Sequence, residues 1–135
     1  MLGSLEKEKN MVYLIEDDES VRKALQRLFR SASIEVRAFA SAGEFLQLDE
    51  ISQGACIVVD IQMPGLTGFD LQEGLLSKNI RVPTIVISAM DDAKIRERAR
   101  KLGATAFFRK PVDGQALVDA IYWAVGVSKN ESSPI

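Results

Sequence analysis

Cys56-Ile57-Val58-Val59-Asp60-Ile61-Gln62-Met63-Pro64-Gly65 is the stretch on which the fold turns. Its first four residues are apolar without alternation, as a parallel strand buried on both faces requires. An acid closes the run, and Pro64, Gly65 and Gly68 then mark a loop. Upstream, Met11–Ile15 is a second double-sided apolar run, halted by Glu16-Asp17-Asp18-Glu19. Downstream, Thr84–Ser88 ends in a hydroxyl residue, and Ala106–Phe108 leads to Lys110-Pro111. Glu35–Phe39 alternates polar and apolar residues, the pattern of a half-exposed strand near a sheet edge.

Between these runs the apolar period changes from strand to helix. Val21, Ala24, Leu25, Leu28, Phe29 and Ala32 recur at helical spacing, with Asp18, Glu19 or Ser20 available as the cap. A short helix from about Ala42 to Leu48 opens on Ser41 with Glu44 three residues on, a capping-box pattern. Further helices are expected from about Gly68 to Ser77, about Asp92 to Leu102 before Gly103, and about Asp113 to Val125. Strand and helix thus alternate five times. That order implies an α/β fold with right-handed crossovers and a parallel sheet covered on both faces. Ligands of such sheets bind beyond the carboxyl ends of the strands.

The bulk numbers narrow the chemistry. A chain of 135 residues, 47% hydrophobic and 27% charged, has room for one domain with an ordinary core. A net charge of -2 gives no overall attraction to nucleic acid. There is no histidine, which removes Ser-His-Asp chemistry and most zinc sites. The single cysteine, Cys56, lies inside the apolar run and reads as a packed, inert thiol. No apolar run approaches the roughly 18 residues of a membrane span, and the charged start MLGSLEKEKN lacks a signal-peptide core, so a cytoplasmic location is expected. Residues 1–10 read as a flexible segment, 11–127 as the domain, and 128–135 as a tail or the start of a linker.

The strand ends hold one constellation. Glu16 and Asp17 follow the first strand, Asp60 closes the third, Ser88 closes the fourth, and Lys110 follows the fifth. Two carboxylates about 4 Å apart repel by roughly 4 kcal/mol at an effective dielectric near 20, so three acids in one pocket call for a cation. Hard oxygen donors without histidine or thiolate favour Mg²⁺, with Mn²⁺ able to substitute. Asp17 and Asp60 are expected to bind it directly, Glu16 through water, with a main-chain carbonyl just past Asp60. Lys110 can pair with Asp60 at rest and with a phosphoryl oxygen afterwards, and Ser88 can donate to another. Positioning and charge neutralisation are nearly all that phosphoryl transfer asks of a protein. Asp60 is then the nucleophile.

Tyr13–Leu25 (YLIEDDESVRKAL), Cys56–Leu71 (CIVVDIQMPGLTGFDL), Ile85–Asp92 (IVISAMDD) and Phe107–Asp113 (FFRKPVD) resemble the receiver domain of two-component response regulators, over about Val12 to Ala124. The resemblance implies a flavodoxin-like (βα)5 sandwich with strand order 2-1-3-4-5. It places the acidic pair at Glu16 and Asp17, the phosphorylated residue at Asp60, and a metal-binding carbonyl at Gln62. The switch hydroxyl falls to Ser88, the lysine to Lys110 with a cis bond before Pro111, and the aromatic switch to Phe107. Serine where many members have threonine leaves a less fixed rotamer. Phenylalanine in place of the frequent tyrosine removes a phenolic hydrogen bond.

By the same resemblance the chain is expected to be a signalling switch, not an enzyme. A sensor histidine kinase would donate the phosphoryl group, and the change would be relayed to the surface of the fourth helix, fifth strand and fifth helix. That surface is a candidate homodimer seam, with Lys94 and Arg98 facing Asp113 and Asp119 of a second copy. Ser88 stands 28 residues after Asp60, which with FFRKP is similar to the FixJ-type branch, whose outputs are often DNA-binding helix-turn-helix domains. Control of transcription, and any DNA contact, would come through an output domain or partner outside this sequence. Two rival readings are weaker. A haloacid-dehalogenase-like phosphatase would want a general acid two residues after its nucleophile, where this chain has Gln62, which cannot serve. A degenerate receiver acting only as a binding module would not need the complete acidic set.

Overall fold

The computed structural model describes residues 10–52, 54–62, 65 and 67–131, with side chains up to residue 126. Residues 1–9 of the expected flexible segment 1–10, Met63 and Pro64 of the loop after the third strand, and residues 132–135 of the expected tail lie outside the described residues. The elements are β1 (Met11–Ile15), α1 (Glu19–Ser31), β2 (Glu35–Phe39), α2 (Ala42–Leu46) and β3 (Ala55–Asp60). They continue with α3 (Gly68–Ser77), β4 (Thr84–Ser88), α4 (Ala93–Lys101), β5 (Ala104–Arg109) and α5 (Gly114–Glu131). All four strand pairings are parallel, in the order β2-β1-β3-β4-β5. The α/β sandwich implied by the alternation is the one observed.

Burial follows position in the sheet. β3 and β4 are buried at every residue and β1 from Val12 onward, whereas the edge strands β2 and β5 are partly open to solvent. Because successive side chains point to opposite faces, each central strand feeds two cores. Val12, Leu14, Val58 and Ile87 meet Phe29 of α1 and Leu117 and Ile121 of α5. Tyr13, Ile15, Val59 and Val86 meet Phe45 of α2, Leu71 of α3 and Ala99 of α4. Fully burying one such large side chain contributes about 1.5–3 kcal/mol.

Local chemistry sets the helix starts. Asp18 caps α1 by accepting from Val21 N at 3.0 Å, and Asp92 caps α4 by accepting from Ile95 N at 2.9 Å. Ser41 caps α2, but the Glu44 carboxylate reaches back to Ala40 N instead of Ser41 N, so the expected box closes one residue early. A complete box forms at α3, where Thr67 and Asp70 each accept from the other's backbone N–H.

Three boundaries differ by two residues or more from those expected. α2 stops two residues sooner, at Leu46. β5 starts two residues earlier, at Ala104, because a register shift between Thr84 and Ile85 lets the extra residue pair. α5 runs to Glu131, past the expected boundary at 127, since GVSKNE contains no proline to break it.

Candidate functional site

The parallel register stacks the strand ends on one edge of the sheet. Ile15 pairs with Val59, Asp60 with Ile87, and Ser88 with Arg109. Glu16, Asp60, Ser88 and Lys110 therefore emerge at nearly one level. One carboxylate oxygen from each of Glu16, Asp17 and Asp60 lies within 4.8 Å of the others. Glu16 is wholly buried and Asp60 nearly so, while Asp17 faces solvent.

Lys110 bridges the buried pair. Its Nζ donates to Glu16 Oε1 at 2.7 Å and to Asp60 Oδ2 at 2.9 Å. Asp60 Oδ1 accepts from Gln62 N at 3.0 Å, so both of its oxygens are held. Burial pushes the Glu16 carboxyl above its ordinary value, against the opposing bond from Lys110 and with the repulsion of Asp60. For Lys110, burial works to lower the value, but the bonds to Glu16 and Asp60 outweigh it and hold the ammonium above its ordinary range. With all three acids ionised, three negative charges face one ammonium, a deficit of two (3 - 1 = 2). A divalent cation with a preference for oxygen fits that deficit and that donor set.

The backbone around the acids is held from two sides. Glu16 N donates to Phe39 O at 3.0 Å, tying the acidic turn to the end of β2. Arg22 Nη1 donates to Glu16 O at 2.9 Å and to Asp17 O at 3.3 Å. Sequence reasoning missed Arg22, although its place in the first turns of α1, five residues after Asp17, was a usable signal. Gly68 packs against the carboxyl end of β3, where a Cβ would lie 2.8 Å from Asp60 O.

The other candidate residues surround this pocket or lie beyond it. Ser88 is buried, and its Oγ accepts from Met90 N at 3.0 Å. Gln62 is exposed and its amide donates to Met90 Sδ, joining the loops after β3 and β4. The Lys110–Pro111 peptide is cis. Phe107 is half-buried, with the Arg96 guanidinium carbon 4.9 Å from its ring centroid. Arg98 leans the other way, 4.2 Å over Phe69 and 3.5 Å from Glu73 Oε1 of α3. Lys94 is exposed, Asp113 accepts from Ala116 N at the start of α5, and Asp119 accepts from Gln115. Within one chain, then, Arg98 is not brought together with Asp113 or Asp119.

Comparison with known proteins gives one answer. A family model described as the response regulator receiver domain matches residues 12–122. Nodulation protein W of Bradyrhizobium diazoefficiens is 43% identical over 113 residues, covering 84% of this chain and 50% of that protein. Transcriptional regulatory protein FixJ of Azorhizobium caulinodans is 33% identical over 120 residues, covering 89% and 57%. The solved structure of response regulator StyR superposes with a TM-score of 0.84 at 39% identity, covering 92% of this chain and 63% of that one. The chain spans about half the length of the curated relatives it matches.

Proposed function

The chain belongs to the response regulator receiver-domain family of two-component systems, and from that premise we propose that Asp60 is its phosphoacceptor. The observation that carries this reading is the shared ammonium: Lys110 holds Glu16 and Asp60 together beside the solvent-facing Asp17. Glu16, Asp17 and Asp60, with the main-chain carbonyl of Gln62, would hold Mg²⁺, or Mn²⁺ in its place. When bound, the ion neutralises charge on phosphoryl oxygens.

Asp60 attacks the phosphorus of a kinase phosphohistidine. The new O–P bond forms as the N–P bond breaks, and the electron pair returns to the imidazole nitrogen. Lys110 is near enough to follow the developing charge, since it already donates to Asp60 Oδ2. Ser88 Oγ leaves Met90 N and donates to a phosphoryl oxygen, and Phe107 turns inward behind it. Arg96, stacked on Phe107, carries the change to α4 and the α4–β5–α5 surface. On that surface Lys94 and Arg98 of one copy would face Asp113 and Asp119 of another.

The domain is a switch that handles its own phosphoryl group and no external substrate, for Gln62 offers no general acid. Among the described residues no helix is long and apolar enough to cross a membrane, in keeping with a cytoplasmic partner of a sensor histidine kinase. Control of transcription would run through an output domain or partner, as the name of the FixJ relative suggests for that protein. Incubation with acetyl phosphate and Mg²⁺ followed by intact mass measurement tests the reading. One phosphoryl adduct is expected, lost without Mg²⁺ and in Asp60→Asn. An adduct that survives Asp60→Asn would put the phosphoryl group on another residue, and no adduct at all would leave a phosphate-independent binding module.

A further inference from the structure

The opposite edge of the sheet, away from the acidic pocket, carries a groove of about 450 Å³ where the loops entering β4 and β5 meet α5. Leu76, Val82, Leu102 and Trp123 form its apolar lining. Trp123 is 65% exposed and Leu76 55%, the highest values among large apolar side chains of the described residues. An exposed tryptophan beside a concave apolar wall is the usual anchor of a protein contact.

Two polar groups on the same lining have no counterpart within the described residues. Gln72 is 1% exposed, and its Nε2 donates to Ala99 O at 3.0 Å. That bond fixes the amide orientation, because a flipped amide would set oxygen against oxygen. Its Oε1 is buried and has no partner. Arg81, exposed, has no carboxylate within ion-pairing distance among the described residues. Arg81 is the one charged residue among the described residues that line the groove, so the charge presented there is positive although the whole chain is slightly acidic.

We propose that this groove docks an acidic amphipathic segment of a partner protein. An apolar side chain of the segment seats between Leu76 and Trp123, and its carboxylates face Arg81. A concave wall suits a seated side chain better than a flat lipid surface does. The inference is independent of the chemistry at Asp60, since none of the groove's residues belongs to the acidic pocket.

Trp123 is the only tryptophan, so its emission reports occupancy directly. A random-peptide display library would be selected on the intact chain with depletion on Arg81→Glu, and the enriched peptides then titrated by fluorescence. The expected peptides are rich in Asp and Glu around one or two bulky apolar residues. They should shift Trp123 saturably and bind roughly tenfold or more weakly to both Arg81→Glu and Leu76→Ser. Both substitutions are at exposed positions, and circular dichroism would verify their folding. Four results would overturn the proposal: no enrichment, enrichment without acids, equal affinity for both variants, or a Trp123 shift given by anionic phospholipid vesicles or self-association instead.

Discussion

At Gly68 a Cβ would lie 2.8 Å from Asp60 O and 2.8 Å from Ile61 Cα. Both are backbone atoms at the end of a buried strand, so neither can swing aside. Replacing glycine with alanine in a helix interior gains at most about 1 kcal/mol, and less at the first helical position, whereas overpacking costs about 1–3 kcal/mol. The clash should win. Gly68→Ala is therefore expected to lower the urea midpoint and to slow phosphoryl acceptance; a variant as stable as the parent would contradict the close approach. Lys110 and Glu16 predict a pH dependence. Both hold protons more tightly in the folded state than their ordinary values of 10.5 and 4.5 imply. The stability each contributes is complete below its ordinary value and is lost as pH rises through the raised one. The Lys110 loss thus begins above 10.5. Thermal melting across that range should fall more steeply for the parent than for Lys110→Met, and equal slopes would show that Lys110 is not held as described.

At the scale of elements, the central strands were the most legible part of the chain. Runs such as Ile57–Val59 and Ile85–Ile87 have apolar residues on both faces, and only a doubly covered sheet satisfies them. The acids, hydroxyl and lysine of the site were legible for the same reason, since strand ends share one edge. Orientation about a helix axis was less legible. Lys94, Arg96, Arg98, Arg100 and Lys101 of α4 read in sequence as a solvated basic face, yet packing sends Arg96 toward Phe107 on β5 and Arg98 toward Phe69 and Glu73 on α3. Nor does sequence reveal that Glu16, expected as a water-mediated metal neighbour, is wholly buried against Lys110. The Thr67–Asp70 box was visible as T-x-x-D but lay in the shadow of the Pro-Gly loop. A dimer seam through Lys94 and Arg98 has a direct check. Arg98→Glu should leave the phosphorylated protein monomeric in sedimentation, and undiminished association would remove Arg98 from the seam and leave it to its contacts with α3.

For the whole molecule, the two cores share one sheet, so exposing its centre requires opening both. Cys56 sits at that centre, fully buried in β3, with burial pushing its thiol up to about 12. Labelling by an aromatic disulfide reagent should then proceed only through global unfolding, its rate rising with urea in step with the loss of stability. Rapid labelling of the native protein would show that the sheet opens locally. The same rigid sheet presents Asp60 with both oxygens held and with the other acids and Lys110 at hand. Borohydride reduces an aspartyl phosphate to homoserine and leaves free carboxylates alone, so it marks the residue that carried the phosphoryl group. After treatment with acetyl phosphate and Mg²⁺, sequencing of the reduced peptides should find homoserine at position 60 and nowhere else. Homoserine at Asp17 or another acid, or at none, would contradict a phosphoacceptor at Asp60.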